Sequence, residues 1–332
     1  MKQFILYILP LLLTACADSI IQEPDDTART PIDFRPSVSR AVTTAVTDFD
    51  IWGHNGEQCI FEGVTVTQGT DGWSYGDPLR YWENDKSYCF ASLYPASVMT
   101  DYDKTWVKNA TLCDTTSILT NYRLRQHTDV DLVLASHSRT CTADDPTSKD
   151  PVALTFNHVL ARINFTAKPH SSISSGTTVE ITEATVFGMS AIGNLHVNGT
   201  WSINEMMHTT EQYPMATMDS AVSFSQSDTD GVKLYGTDGF YVLPQTVGVY
   251  SQLSIKYTIT RSGVATNYSH EYSLTLASSA IGGEWKAGRS YSYNFEIIDD
   301  GNILFTAPKV AAWEENSGNN IIIQIPSTST NE

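Results

Sequence analysis

From residue 49 to residue 306 the chain is cut into short runs rich in Val, Ile, Thr, Tyr and Phe. Each run stops at a cluster of Gly, Asn, Asp or Pro, such as NGEQ, GTDG, VNGT and DDGN. β-Branched and aromatic residues suit a pleated, half-buried surface, and the clusters suit tight turns. No segment carries a long apolar repeat of 3.6 residues, so no helix is expected to organise the core. Strands are expected at 49–52, 62–67, 87–93, 131–136, 152–156 and 159–167, and again at 178–187, 193–197, 239–242, 252–260, 270–276, 290–298 and 303–306. Many short strands separated by turn signals predict an all-β sandwich or barrel.

At 332 residues the chain has room for two domains of ordinary size. An internal echo points the same way. DFDIWG at 48–53 and EATVFG at 183–188 each end on an aromatic-glycine pair, and each is followed by a Trp, Trp73 in the first case and Trp201 in the second. Trp82 then stands six residues before Tyr88, as Trp285 does before Tyr291. A duplicated sandwich accounts for this order. The expected boundary lies at the Pro/Ser-rich stretch 168–172, giving domains over 31–168 and 169–315.

Both ends of the chain are unusual. Lys2, an apolar run over 4–13 and the sequence LTAC ending at Cys16 read as a signal peptide over 1–15, since the run is about half of the ~20 residues a spanning helix needs. Small residues before Cys16 match the bacterial lipobox, in which that cysteine receives the lipid. The polar stretch 16–30 reads as a tether. Ile32 and Phe34 then alternate before Pro36, as in a short edge strand, and the Arg40-Ala41 step sits in a Ser/Thr-rich loop open to a trypsin-like protease. At the other end, NNIIIQIPSTSTNE places a greasy strand where termini are normally polar. By the period of two, Ile321, Ile323 and Ile325 share one face, and Ile322 and Gln324 the other.

The formal net charge of -17 argues against nucleic acid as a partner. Eight histidines are scattered without metal-ligand spacing, and His158 reads as a satisfied strand residue. There is no GxSxG elbow and no phosphate-binding loop. The acidic clusters DYD, ADD and SDTDG lack the ordered ligands of a calcium loop and read as solvated turns. No catalytic residue, metal or cofactor is assigned. Trp73, Trp82, Trp106, Trp201, Trp285 and Trp313 serve either as sugar-stacking platforms or, more commonly, as core. Apart from Cys16, the cysteines Cys59, Cys89, Cys113 and Cys141 allow three pairings, or none if they are buried thiols.

LTAC at 13–16, SRA at 39–41, FNHVLARINFTA at 156–167, EATVFGMSAIGN at 183–194, DGFYVLPQ at 238–245, KAGRSYSYNFEI at 286–297 and VAAWEEN at 310–316 together resemble the fimbrillin-like lipoproteins of Bacteroidetes. The resemblance implies two tandem transthyretin-like β-sandwich domains, Greek-key with about seven strands each, and a C-terminal extension strand over 316–332. It also implies a structural, non-enzymatic subunit of a surface fimbria that supports adhesion. The lipidated precursor would reach the outer membrane through Cys16 and be cut between Arg40 and Ala41. The strand 31–40, with Ile32 and Phe34, would leave, and Ile321, Ile322, Ile323, Gln324 and Ile325 of a neighbour would fill the groove. Partners would be other fimbrial subunits, of its own kind or of tip and anchor type, together with a host or bacterial surface glycan or protein. The alternative is an uncleaved, lipid-anchored tip adhesin or glycan-binding lipoprotein.

Overall fold

The computed structural model describes residues 29–38, 46–56, 58–95, 117–124, 130–203, 214–274, 278–279 and 282–312. Among the described residues the fold is almost wholly β, as expected, with strands numbered here in chain order. The first half forms one sheet from β1 (Phe34–Val38), β2 (Asp48–Asn55), β3 (Gln58–Gly69), β4 (Gly72–Ser74), β5 (Lys86–Tyr94), β7 (Val133–Cys141) and β8 (Val152–His158), in the order β1-β8-β7-β5-β2-β3-β4. The link between β7 and β8 is thin. Only Val133↔His158 and Leu134↔Asn157 pair, so β1 and β8 splay away as a second layer over the other strands. Between the layers lies a core that includes Ile32, Phe34, Phe49, Ile51, Phe61, Phe90, Val152, Leu154 and Phe156.

The second half repeats this pairing. Its first strand, β9 (Ala161–Pro169), runs parallel to β21 (Arg289–Ile297), just as β1 runs parallel to β8. Strands β15 (Val232–Lys233) and β16 (Phe240–Val242) pair with β9, and β22 (Ile303–Phe305) and β23 (Lys309–Ala312) pair with β21. The facing sheet joins β10 (Thr177–Phe187) to β13 (Ala216–Thr217), β14 (Val222–Ser225) and β18 (Gln252–Arg261), and β18 to β19 (Val264–Ser273). A two-stranded piece pairs β17 (Gln245–Thr246) with β20 (Glu284–Trp285). The chain passes from the first sheet to the second at Val159 and Leu160, ahead of the Pro/Ser stretch at 168–172, where Pro169 closes β9.

The halves are joined by apolar packing as well as by chain. β2 and β5 are buried on both faces, and Trp52, Ala91, Leu93 and Leu134 turn away from the first core into a second one shared with Val159, Leu160 and Val197. A small sheet covers this junction, with β6 (Ser117–Arg123) from the first half paired to β11 (Ile192–His196), and β11 to β12 (Trp201–Ile203). The Trp201 indole donates to the Val159 carbonyl at 2.7 Å.

The echo has a physical basis. In the first half the Glu83 backbone N–H donates to the Tyr88 hydroxyl at 2.7 Å, and in the second the Lys286 N–H donates to the Tyr291 hydroxyl at 2.7 Å. Gly53 lies inside β2 and Gly188 directly follows β10, and each sits where nothing larger fits. A Cβ on Gly53 would meet the Phe90 and Phe61 rings at 2.9 and 3.0 Å, and one on Gly188 (φ +78°) would strike the Tyr250 carbonyl. The expected strand 270–276 instead begins at Val264, because an edge strand with exposed residues carries little hydrophobic alternation to mark its start. β6 escaped sequence reading for a related reason. In SILTNYR its apolar residues Ile118, Leu119 and Tyr122 do not alternate.

Two histidines tie this core to pH. Burial lowers the pKa of His54 on β2, a shift partly offset by Glu62, and burial aided by Arg139 lowers that of His137 on β7. Below the ordinary histidine value of 6.5 the unfolded chain therefore binds more protons than the fold. Stability is full above that value, is lost as pH falls through it, and levels off below the folded pKa. Thermal melts from about pH 8 to about pH 5 should show a falling midpoint, with a smaller fall for His137→Gln. A flat profile for the wild-type chain would contradict this.

Candidate functional site: the first strand and its seam

The segment from Thr30 to Ser37 bridges the two open edges of the first half. On one side β1 runs parallel to β8, with Phe34↔Val152 and Pro36↔Leu154 in register, and the Val152 N–H donates to the Asp33 carbonyl at 2.7 Å. Ser37 adds a hydroxyl bond to the Leu154 carbonyl at 3.3 Å. On the other side the Ile32 N–H donates to the Arg80 carbonyl at 2.8 Å, the Trp82 N–H to the Thr30 carbonyl at 3.0 Å, and Pro31 forms an isolated antiparallel bridge with Tyr81. Removing this segment would leave the edges of β8 and of residues 80–82 without it.

Its side chains alternate as the sequence implied. Ile32 and Phe34 are 0% and 5% exposed and Pro36 is half-buried, while Asp33, Arg35 and Ser37 face solvent. Phe34 is surrounded by rings, with centroids at 5.4 Å (Phe61), 5.9 Å (Tyr75), 6.0 Å (Phe90) and 6.1 Å (Phe49), all edge-on. Edge-to-face contacts of this kind add to the area buried. The socket has a polar rim. The Tyr75 hydroxyl donates to the Ile32 carbonyl at 3.1 Å and accepts from the Arg80 N–H at 3.1 Å. Burial, first among several causes, pushes the Tyr75 phenol above its ordinary value of 10.0, so it stays a donor at neutral pH. Arg80 lies over Phe61 and Tyr75 at 5.0 and 5.5 Å, and its Nε–H donates to the Ile60 carbonyl at 2.9 Å.

The second half shows what a locked first strand looks like. β9 has β21 on one edge and β15 and β16 on the other. β1 has a strand on one edge only, and a single bridge with two flanking bonds on the other. The first strand of the first half is therefore the less firmly held of the pair. Sequence reading found Ile32 and Phe34 but missed Tyr75, Arg80 and the parallel partner β8. Nothing local in YGDPLRYW marks a groove wall, and a parallel partner over a hundred residues away leaves no turn signal between them.

Cys16, Arg40, Ala41, Ile321, Ile322, Ile323, Gln324 and Ile325 lie outside the described residues, as do Trp106, Trp313 and Cys113. Trp82 and Trp285 are buried, Trp73 packs on Phe49 at 5.2 Å, and Trp201 is tied to Val159, so the described members of the sugar-platform set are structural. His158 lies within 2.9 Å of Asp131, as a satisfied strand histidine should. Asp145 accepts from the Thr147 N–H and hydroxyl, and Asp228 from the Ser225 N–H and hydroxyl, which makes ADD and SDTDG turns, while DYD lies outside the described residues. Among the described residues no group of His, Cys, Asp and Glu is arranged to hold a metal ion, and no helix is long and apolar enough to cross a membrane. Cys89 is disulfide-bonded, whereas Cys59 and Cys141 are in no disulfide.

A family model described as fimbrillin-like matches residues 39–313. Among solved structures, the chain is similar to a fimbrial protein from Bacteroides vulgatus, with a TM-score of 0.58 and 18% identity, covering 86% of this chain and 99% of that one. It is more loosely similar to the fimbrial anchor protein Mfa2 from Porphyromonas gingivalis, with a TM-score of 0.40 and 10% identity over 86% of this chain and 98% of that one. No curated protein matches.

Phe34→Ala in the intact chain should cost about 3–5 kcal/mol, because the ring leaves a cavity among four others. Tyr75→Phe should cost about 1 kcal/mol through one lost hydrogen bond. Denaturant unfolding measures both, and equal effects would argue against a ring-centred socket.

Proposed function

Since this chain belongs to the fimbrillin-like family, we propose that it is a structural subunit of a cell-surface fimbria, exported as a lipoprotein through Cys16, cut after Arg40, and polymerised by strand addition. The family is one of structural adhesion proteins rather than enzymes, and its partners are other fimbrial subunits. In this reading each half is a transthyretin-like sandwich, β1 leaves the first of them, and residues 321–325 of a neighbour enter the groove. Contacts of this head-to-tail kind do not close, so an open filament grows.

The observation that carries the proposal is the one-sided attachment of β1 beside the doubly held β9. Magnitudes favour the exchange. Ile32 and Phe34 together bury roughly 3–6 kcal/mol of apolar surface, so cutting the chain would not by itself release the strand. A tail with three isoleucines on one face brings ~5–9 kcal/mol before ordering costs, enough to displace it. Lipid at Cys16 places the uncut precursor at the outer membrane, and adhesion is the use of the finished filament.

Assembled material should begin at Ala41 and run as a heat-resistant ladder on gels. A chain lacking residues 321–332 should give monomers only. Full polymerisation of that deletion would remove the basis for strand addition.

A further inference from the structure

Resting on that strand-addition reading, we infer that the tail of the neighbour enters the groove antiparallel to β8, opposite in direction to the β1 strand that it replaces. The reason lies in how side chains and backbone groups alternate together. In β1 the even residues Ile32, Phe34 and Pro36 turn inward, while Asp33, Arg35 and Ser37 turn out. The Asp33 carbonyl faces β8, where it accepts from Val152, and the Ile32 N–H faces the outer edge, where it donates to Arg80. Inward residues of β1 therefore direct their N–H and C=O to the outer edge, and outward residues direct theirs to β8. Pro36 obeys this rule, since its missing N–H falls on the outer edge and breaks no bond of the ladder.

The tail carries the same two constraints in a different combination. Ile321, Ile323 and Ile325 are odd, and Pro326 is even. If the tail ran with β1 and turned its isoleucines inward, Pro326 would face β8 without an N–H to give. If it ran with β1 and put Pro326 where Pro36 stands, Gln324 would drop into the socket of Phe34, among Phe49, Phe61, Tyr75 and Phe90. A buried amide among rings is costly unless it finds partners.

Reversing the strand resolves both conflicts. Turned end for end with the same side chains inward, every residue presents its backbone groups to the opposite edge. The isoleucines then fill the sockets and also direct their N–H and C=O to β8, while Pro326 falls on the outer edge. The inward residues of β8 are Val152, Leu154 and Phe156, and Asp33 shows that Val152 uses its N–H toward this groove. An antiparallel ladder pairs residues that share a face, so inward isoleucines oppose inward β8 residues with both bonds made. The register that fills the deepest socket sets Ile323 in the place of Phe34 opposite Val152, Ile321 in the place of Pro36 opposite Leu154, and Ile325 in the place of Ile32.

Paired cysteines distinguish the directions. Asn157 is exposed and its side chain bonds only to the nearby Thr155 carbonyl, so it tolerates replacement. In subunits cut after Arg40 and allowed to assemble, the antiparallel register brings Gly318 of one subunit opposite Asn157 of the next, whereas a strand running with β1 brings Thr328 there. Asn157→Cys with Gly318→Cys should give a ladder of disulfide-linked subunits on non-reducing gels, and Asn157→Cys with Thr328→Cys only the background of the single variants. Linking through Thr328 alone would overturn the inferred direction and leave strand addition standing. Polymers that link through neither pair would overturn it too, and polymerisation of the tail deletion would overturn strand addition itself.

Discussion

The parallel ladder between β1 and β8 joins residues 118 positions apart, and the rest of the first half depends on it. Because β7 and β8 pair only at their ends, the layer containing β8 would be a single strand without β1. A lone strand cannot cover a sandwich core. The aromatic socket of Phe34 is the apolar side of the same constraint, since β2, β3 and β5 each send one ring, Phe49, Phe61 and Phe90, toward the position that β1 occupies. The first half is thus built around a piece contributed by the very start of the described chain.

The second half solves the same topology without that exposure. Its parallel pair, β9 and β21, is flanked on both outer edges. One chain therefore carries two versions of a single architecture, one with its first strand paired on both edges and one with its first strand paired to a strand on one edge only. Under the proposed strand addition this asymmetry would matter, because a subunit that could open at both halves would branch or aggregate through unpaired edges. The shared apolar packing around Trp52, Leu134 and Val159, with the β6–β11 pairing over it, couples the halves so that tension on a filament passes through packed side chains as well as through the backbone.

The contrast between socket and tail is also a contrast of shape. Phe34 fills its site with one ring held edge-on by four neighbours, and the tail offers branched aliphatic side chains on an unbroken face. In the proposed exchange, isoleucine would restore apolar area without restoring the ring contacts, and its β-branching would favour the extended backbone that a donated strand needs. The Tyr75 hydroxyl and Arg80 backbone hold the main chain of β1, and under the same proposal they would remain as a polar rim for the strand that replaces it.

What the sequence determined by itself is everything that rests on local periodicity. The all-β class, most central strands, the inward face of Ile32 and Phe34 and the satisfied role of His158 all follow from neighbours within a few residues. The glycine that ends each echo motif was visible too, although its cause, a ring or carbonyl where a Cβ would sit, was not. Only the tertiary structure decided that β1 lies parallel to β8, that Tyr75 and Arg80 wall its groove, that β6 crosses to the second half, and that the sheets change at Val159 and Leu160. The reason is common to all four. Pairing across long stretches of chain is chosen by which edges and faces remain uncovered once the local strands have formed, and no short window of sequence records what will be left uncovered.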